Sequence, residues 1–320
     1  MKPNFLNLSH PPNTSTTRTG KLKKVVLVYQ LQYKNGDIYG FGDFIRGCFA
    51  LLGICNKLGL EFDFDLSNHP MSKYVDGHVK TPNLHYANIR KMTSLYNPTE
   101  KKWTSPELFY ETFKIFAKTT KDEICYTCSN SFPVFKIQSV DIERIKSRFK
   151  PTIQMRYDLE EELSTLGLKK GEFSVIHIRA GDDLLLNRHH DTQYPTKKLF
   201  NQLCETLTPL LNKDHKYLIL SDSTELKNEF IPYANCVFHQ KKITHLGVQD
   251  TLDDDAVKNT MMDFYLMCQS DHIYSYSGYM HGSGFSKWCA VFYNIPYEIY
   301  YINTVNNTIT ELSFDAATLD

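Results

Sequence analysis

The chain predicts an α/β protein made of two Rossmann-like domains facing across a cleft. Three observations lead there. Short apolar runs rich in β-branched residues recur, each followed by apolar residues at helical spacing. Such strand–helix alternation is the pattern of parallel sheets covered by helices. The alternation also begins twice, once at Val25 and again at Phe173, in a chain of 320 residues, which is room for two domains.

The elements follow in order. Residues 1–20, rich in Asn, Pro, Ser and Thr, read as a disordered leader. Val25-Val-Leu-Val-Tyr-Gln30 is a buried first strand. A glycine-punctuated loop comes next, Gly36 to Gly47, carrying Asp37, Gly40, Phe41, Gly42 and Asp43. Phe44, Cys48, Leu51, Leu52, Cys55 and Leu58 then share one helical face, and Gly59 closes that helix. Leu60 to Asp65 alternates as a second strand. Residues 67–125 are irregular apart from a helix at 105–119, and 123–128 is a strand. Helical sequence at 141–168 is broken near Pro151, which makes Phe149-Lys-Pro151 the linker. The domains are therefore 21–150 and 151–320.

In the second half the expected strands are 173–179, 217–220, 236–238, 271–275 and a final one at 296–301. Helices are expected at 196–211, 224–230, 256–268 and from Gly282-Ser-Gly284 to Tyr293. Val257, Met261, Phe264 and Cys268 fall on one face of the 256–268 helix.

Composition narrows the functional classes. Lys+Arg and Asp+Glu both number 36, so the net charge is zero, which argues against general nucleic-acid or anionic-membrane binding. The eight cysteines lie in apolar segments as buried thiols, and the lone Cys125-Tyr-Thr-Cys128 pair has no partner set for zinc. No hydrophobic leader and no run of about 18 apolar residues is present, so a soluble, cytoplasmic protein is expected and the Asn-x-Ser/Thr sequons are chance matches.

Polar residues converge where a parallel sheet would collect them. In open α/β sheets ligands bind beyond the carboxyl ends of the strands. His177, Arg179 and Asp182 follow one expected strand, and Asp222 and Ser223 follow the next. Ser283-Gly284-Phe285-Ser286 opens a helix, whose first turn offers backbone N–H groups to an anion. Asp263 lies in the preceding helix. An arginine fixed at a strand end grips phosphate through its planar fork of donors. Each piece alone has an ordinary structural reading, such as a cap or a surface ion pair. Together they predict an anion site.

These residues carry a resemblance. His177-Ile-Arg-Ala-Gly-Asp182 resembles the His-x-Arg-Arg/x-Gly/Thr-Asp motif of the α-1,2-, α-1,6- and protein O-fucosyltransferase superfamily. Asp263-Phe-Tyr-Leu-Met-Cys268 and Gly282-Ser-Gly-Phe-Ser-Lys-Trp288 are similar to its later motifs, and Gly40-Phe-Gly-Asp43 to its N-terminal glycine loop. Ala180 stands where the strict form has a second arginine, as in the protein O-fucosyltransferase variant.

The resemblance implies a GT-B-type, inverting, metal-independent glycosyltransferase. It implies GDP-fucose as donor, no cofactor, and a carbohydrate or glycoconjugate acceptor. Arg179 would stabilise the departing diphosphate. His177 and Asp263 would read the base, and 283–286 would hold phosphates. Gly40 to Gly42 would approach the sugar or diphosphate. Inversion needs a base on the first domain, and Asp43 is the first choice, with Asp37 second. A different sugar nucleotide and a non-catalytic sugar-nucleotide or glycan binder remain as alternatives. Asp253-Asp-Asp255 reads as an acidic helix start rather than a metal site, and His189-His190-Asp191 as a polar loop.

Overall fold

In the computed structural model the described residues are 22–29, 40–81, 84, 89–90, 96–97, 102–103, 105–128, 134–179, 197–222, 227, 232–247, 253–303, 306 and 308–313. They form two compact α/β units, with the chain passing from one to the other between Lys150 and Pro151. The expected leader, the loop at 180–196 with Asp182 and His189 to Asp191, Asp37, Ser223 and most of the expected 224–230 helix lie outside the described residues.

The first unit opens with strand β1 (Lys24–Val28), helix α1 (Phe41–Leu58) and strand β2 (Glu61–Asp65). Two-residue strand β3 (Ile89–Arg90), helix α2 (Pro106–Thr119), strand β4 (Ile124–Thr127) and helix α3 (Ser139–Lys146) follow. The sheet order is β2-β1-β4-β3, with every pairing parallel. Val25 to Val28 are buried on both faces, as a central parallel strand requires.

Helix α1 packs its Phe44, Ile45, Cys48, Leu51, Leu52 and Cys55 into the core, and Gly59 ends it at φ 66. A left-handed residue there costs glycine nothing. The helix starts earlier than its apolar stripe does. Gly40 is the N-cap, so Phe41, Gly42 and Asp43 belong to the first turn rather than to a loop.

The second unit contains helix α4 (Ile153–Thr165), strand β5 (Phe173–Arg179), helix α5 (Lys197–Leu207), strand β6 (Lys216–Ser221) and strand β7 (Cys236–Phe238). Helix α6 (Asp254–Met267), strand β8 (His272–Ser277), helix α7 (Gly284–Tyr293), strand β9 (Tyr297–Asn303) and strand β10 (Thr308–Leu312) complete it. The sheet order is β7-β6-β5-β8-β9-β10, parallel except for the last pair. Strand β5 is central: Ile176 pairs with Ile219 and Val175 with Ile273.

Two expectations change here. Strand β9 is not the last, because Thr308–Leu312 returns antiparallel along its outer edge. Helix α6 is buried all round from Thr260 to Met267, not along one stripe. The reason is that α4 and α7 both pack against it, so polar Thr260 and Asp263 are enclosed with the apolar residues.

Candidate anion-binding site

The carboxyl ends of β5, β6 and β8 bring three polar features to one edge of the second sheet. Arg179 is the last residue of β5, and Asp222 directly follows β6. Their side chains meet, Arg179 Nη1 donating to Asp222 Oδ2 at 2.8 Å, with 13% and 3% of the side chains exposed. A guanidinium presents its donors in a planar fork, and this bond orients it. The backbone is tied as well: Gly278 N–H, just beyond β8, donates to the Arg179 carbonyl at 3.3 Å.

His177, two residues earlier, points to the same face of β5 as Arg179. It is buried, and among the described residues its Nδ1 has no hydrogen-bond partner. Burial and then the nearby Arg179 charge depress its pKa to about 3. At neutral pH it is therefore an uncharged imidazole with one nitrogen unspent. An unpartnered polar atom beside an oriented guanidinium leaves a hydrogen-bonding position open to a ligand.

The third feature is the start of α7. Ser283 is its N-cap, and Gly282 before it has φ 75, with a Cβ there meeting the Tyr297 hydroxyl at 3.2 Å and Ile299 at 3.3 Å. Both facts demand glycine. The Ser286 hydroxyl lies 3.0 Å from that of Ser275 on β8 and 3.2 Å from that of Tyr297 on β9, and it donates to the Ser283 carbonyl at 3.3 Å. Burial pushes the Tyr297 phenol up to about 12, so it acts as a hydroxyl in this network. The net result pins the helix start to the sheet edge. Phe285, in the first turn, packs between His177 and Phe264, with ring centroids 6.0 and 5.4 Å away.

No protein-family model matches the chain, and no curated protein matches it. Solved structures do. A fucosyltransferase NodZ from Bradyrhizobium is 12% identical, covers 92% of this chain and 100% of its own, and superposes with a TM-score of 0.53. NodZ α-1,6-fucosyltransferase soaked with GDP-fucose gives the same values. A mutant of Arabidopsis thaliana FUT1 in complex with GDP is 12% identical over 90% of this chain and 72% of its own, with a TM-score of 0.55.

The chain has the fucosyltransferase fold.

Within that GT-B-type fold the expected site residues separate into groups. Arg179, His177, Asp222 and the 283–286 turn all belong to the carboxyl edge of the second sheet. Ser286 differs from expectation in that its hydroxyl is enclosed and already bonded; what α7 presents is its first-turn backbone. Asp263 is buried and paired with His239 Nδ1 through Oδ1. Gly40, Phe41, Gly42 and Asp43 lie in the other unit, at the start of α1. Phe41 is buried there, 5.7 Å from Phe149 ring to ring, and Asp43 is exposed.

Sequence reasoning overlooked His239, Glu162, Ser275 and Tyr297. His239 follows β7 directly, fully buried, with Nε2 4.0 Å from Glu162, whose other oxygen meets Lys241 at 2.5 Å. A histidine just past a strand end was the available signal for it. Asp253 accepts from Asp255 N–H at 3.1 Å, so the acidic run caps α6. Cys125 and Cys128 are buried free thiols, and among the described residues no group of three or more His, Cys, Asp or Glu is placed to hold a metal. Among the same residues no helix is long and apolar enough to cross a membrane.

Proposed function

We propose that this protein is an inverting glycosyltransferase that moves fucose from GDP-fucose to a hydroxyl of a glycan or glycoconjugate. The observation that carries this reading is the Arg179–Asp222 pair beside the orphaned His177 Nδ1, in a chain sharing the fold of NodZ and FUT1. The second unit is the donor side and the first unit the acceptor side. GDP-fucose is a substrate, and neither metal nor cofactor is required.

Each role follows from chemistry. Glycosyl transfer releases a diphosphate that gathers charge in the transition state. Arg179, held in place by Asp222, meets that charge without reorganising, and the first turn of α7 adds aligned N–H dipoles. Neutral His177 hydrogen-bonds the nucleotide through Nδ1. Asp263, held by His239, reads the base. Gly40 to Gly42 approach the sugar or diphosphate, and Ser223, next to Asp222 in sequence, is assigned to donor binding. Asp43 takes the proton from the acceptor hydroxyl.

A thermal-shift panel of GDP, UDP and their sugars tests the donor assignment, since a ligand that binds only the folded state raises its melting temperature. GDP and GDP-fucose are expected to shift the transition. UDP-sugars shifting it while GDP-fucose does not would overturn the donor. GDP-fucose binding without turnover would leave a binder in place of an enzyme.

A further inference from the structure

Lys227 is buried, with 4% of the residue exposed. Among the described residues its ammonium has one partner, the His239 carbonyl, at 3.1 Å. A carbonyl is neutral, and an ammonium carries three donors. Burying a charge without an opposite charge is costly, and folded proteins avoid it unless function requires it. The half-buried Arg179 of the same unit shows the contrast, because it has the Asp222 carboxylate.

The position of Lys227 explains the missing counter-charge. It lies five residues beyond Asp222, on the connection from β6 to β7, and it contacts the residue that directly follows β7. It thus belongs to the same carboxyl edge as Arg179 and the start of α7. Along the strand order β7-β6-β5-β8, the edge carries Lys227, then Arg179, then the α7 turn. That is a row of positive groups, and among the described residues Arg179 has a carboxylate partner while Lys227 has none.

We propose that Lys227 is a second phosphate-binding cation of the donor site, its ammonium completed by an anionic oxygen of the nucleoside diphosphate. This rests on the second unit being the donor side. His239 then has two tasks: its carbonyl orients Lys227, and its imidazole holds Asp263. The network couples the phosphate-binding and base-reading parts of the site through one residue.

The test is Lys227→Met in the full chain, read by thermal melting without ligand and by calorimetric titration with GDP, guanosine and inorganic pyrophosphate. Removal of an uncompensated buried charge should leave the ligand-free melting temperature unchanged or raise it. GDP affinity should fall about 10–100-fold, the range of a hydrogen bond to a charged group, with pyrophosphate following it and guanosine unaffected. A lower melting temperature with unchanged GDP affinity would make Lys227 structural and overturn the proposal. An equal loss for guanosine would move the contact to the base and overturn it too. Should Lys227→Met fail to fold, Lys227→Gln takes its place, and failure of both assigns the residue to the fold. Wild-type protein that ignores GDP yet binds pyrophosphate through Lys227 would overturn the donor reading and the nucleoside diphosphate with it, leaving Lys227 a cation for phosphate alone.

Discussion

The two sheets treat their buried charges differently. In the first unit Asp63 on β2 meets Lys24 Nζ at 2.5 Å and also Arg148, while Asp65 accepts from the Ser67 and Thr81 N–H groups, each at 2.8 Å. Those carboxylates have cations or backbone N–H groups of the same unit as partners. At the carboxyl edge of the second sheet, Arg179 is oriented by Asp222, and among the described residues His177 Nδ1 has no hydrogen-bond partner and Lys227 has only a carbonyl. Both sheets are parallel and both bury ionisable residues, so burial alone does not mark a ligand site. What sets the second sheet apart is that a guanidinium, a neutral imidazole and a buried ammonium all belong to one strand-end edge.

That contrast has consequences that can be measured, the largest at Arg179. Arg179→Ala is expected to lower turnover about 10²–10³-fold, as for other fixed donors to a developing anion. It also removes the cation that pairs with the enclosed Asp222 carboxylate, so the single variant should melt earlier. Arg179→Met with Asp222→Asn should recover the melting temperature but not the activity. Recovery of activity as well would remove Arg179 from the chemistry.

Next in size is an acid effect at His177. Its folded pKa, about 3, lies below the unfolded value of 6.5. The unfolded chain then binds the extra proton between those values, so stability is complete above pH 6.5 and falls as pH drops toward 3. The loss is on the order of 3 kcal/mol by pH 4. Urea melts at pH 7 and pH 4 should show it in the wild type and show less of it in His177→Gln. Equal acid sensitivity in both would mean that His177 is not the group responsible.

Asp63→Asn sharpens the comparison from the other unit. It should cost about 2–3 kcal/mol of stability, by weakening contacts to two cations, and leave GDP affinity unchanged in calorimetry. A matching loss of GDP affinity would erase the distinction between the sheets. Ser286→Ala has the smallest expected effect, about 1–2 kcal/mol, because Ser275 and Tyr297 each lose a buried partner. GDP binding should weaken less than in Arg179→Ala, since the backbone of α7 remains.

Much of this was legible in residue order. Strand β5 spans the predicted 173–179, because seven residues between Gly171 and the polar loop admit one reading as a buried strand. Arg179, Asp222 and the 282–286 turn were visible for the same reason: a parallel sheet gathers its strand ends on one edge. What stayed hidden depends on pairs distant in sequence. Asp263 and His239 are 24 residues apart, and Ser286 shares its hydroxyl bonds with Ser275 and Tyr297, each 11 residues away. No local periodicity encodes such partners. The start of α1 was misplaced because two glycines near its N-terminus look like loop, yet Gly40 serves as N-cap and Gly42 is tolerated in the first turn. Strand β10 escaped because an edge strand covered on one side needs few apolar residues, and Thr308–Leu312 has two.

Hydrogen exchange with and without GDP tests the central claim most directly. Bound GDP should slow exchange at Gly278–Lys287 and leave the Glu61–Thr81 segment unchanged. Protection confined to the first unit, or none anywhere at saturating GDP, would contradict the assignment of the donor site to the carboxyl edge of the second sheet.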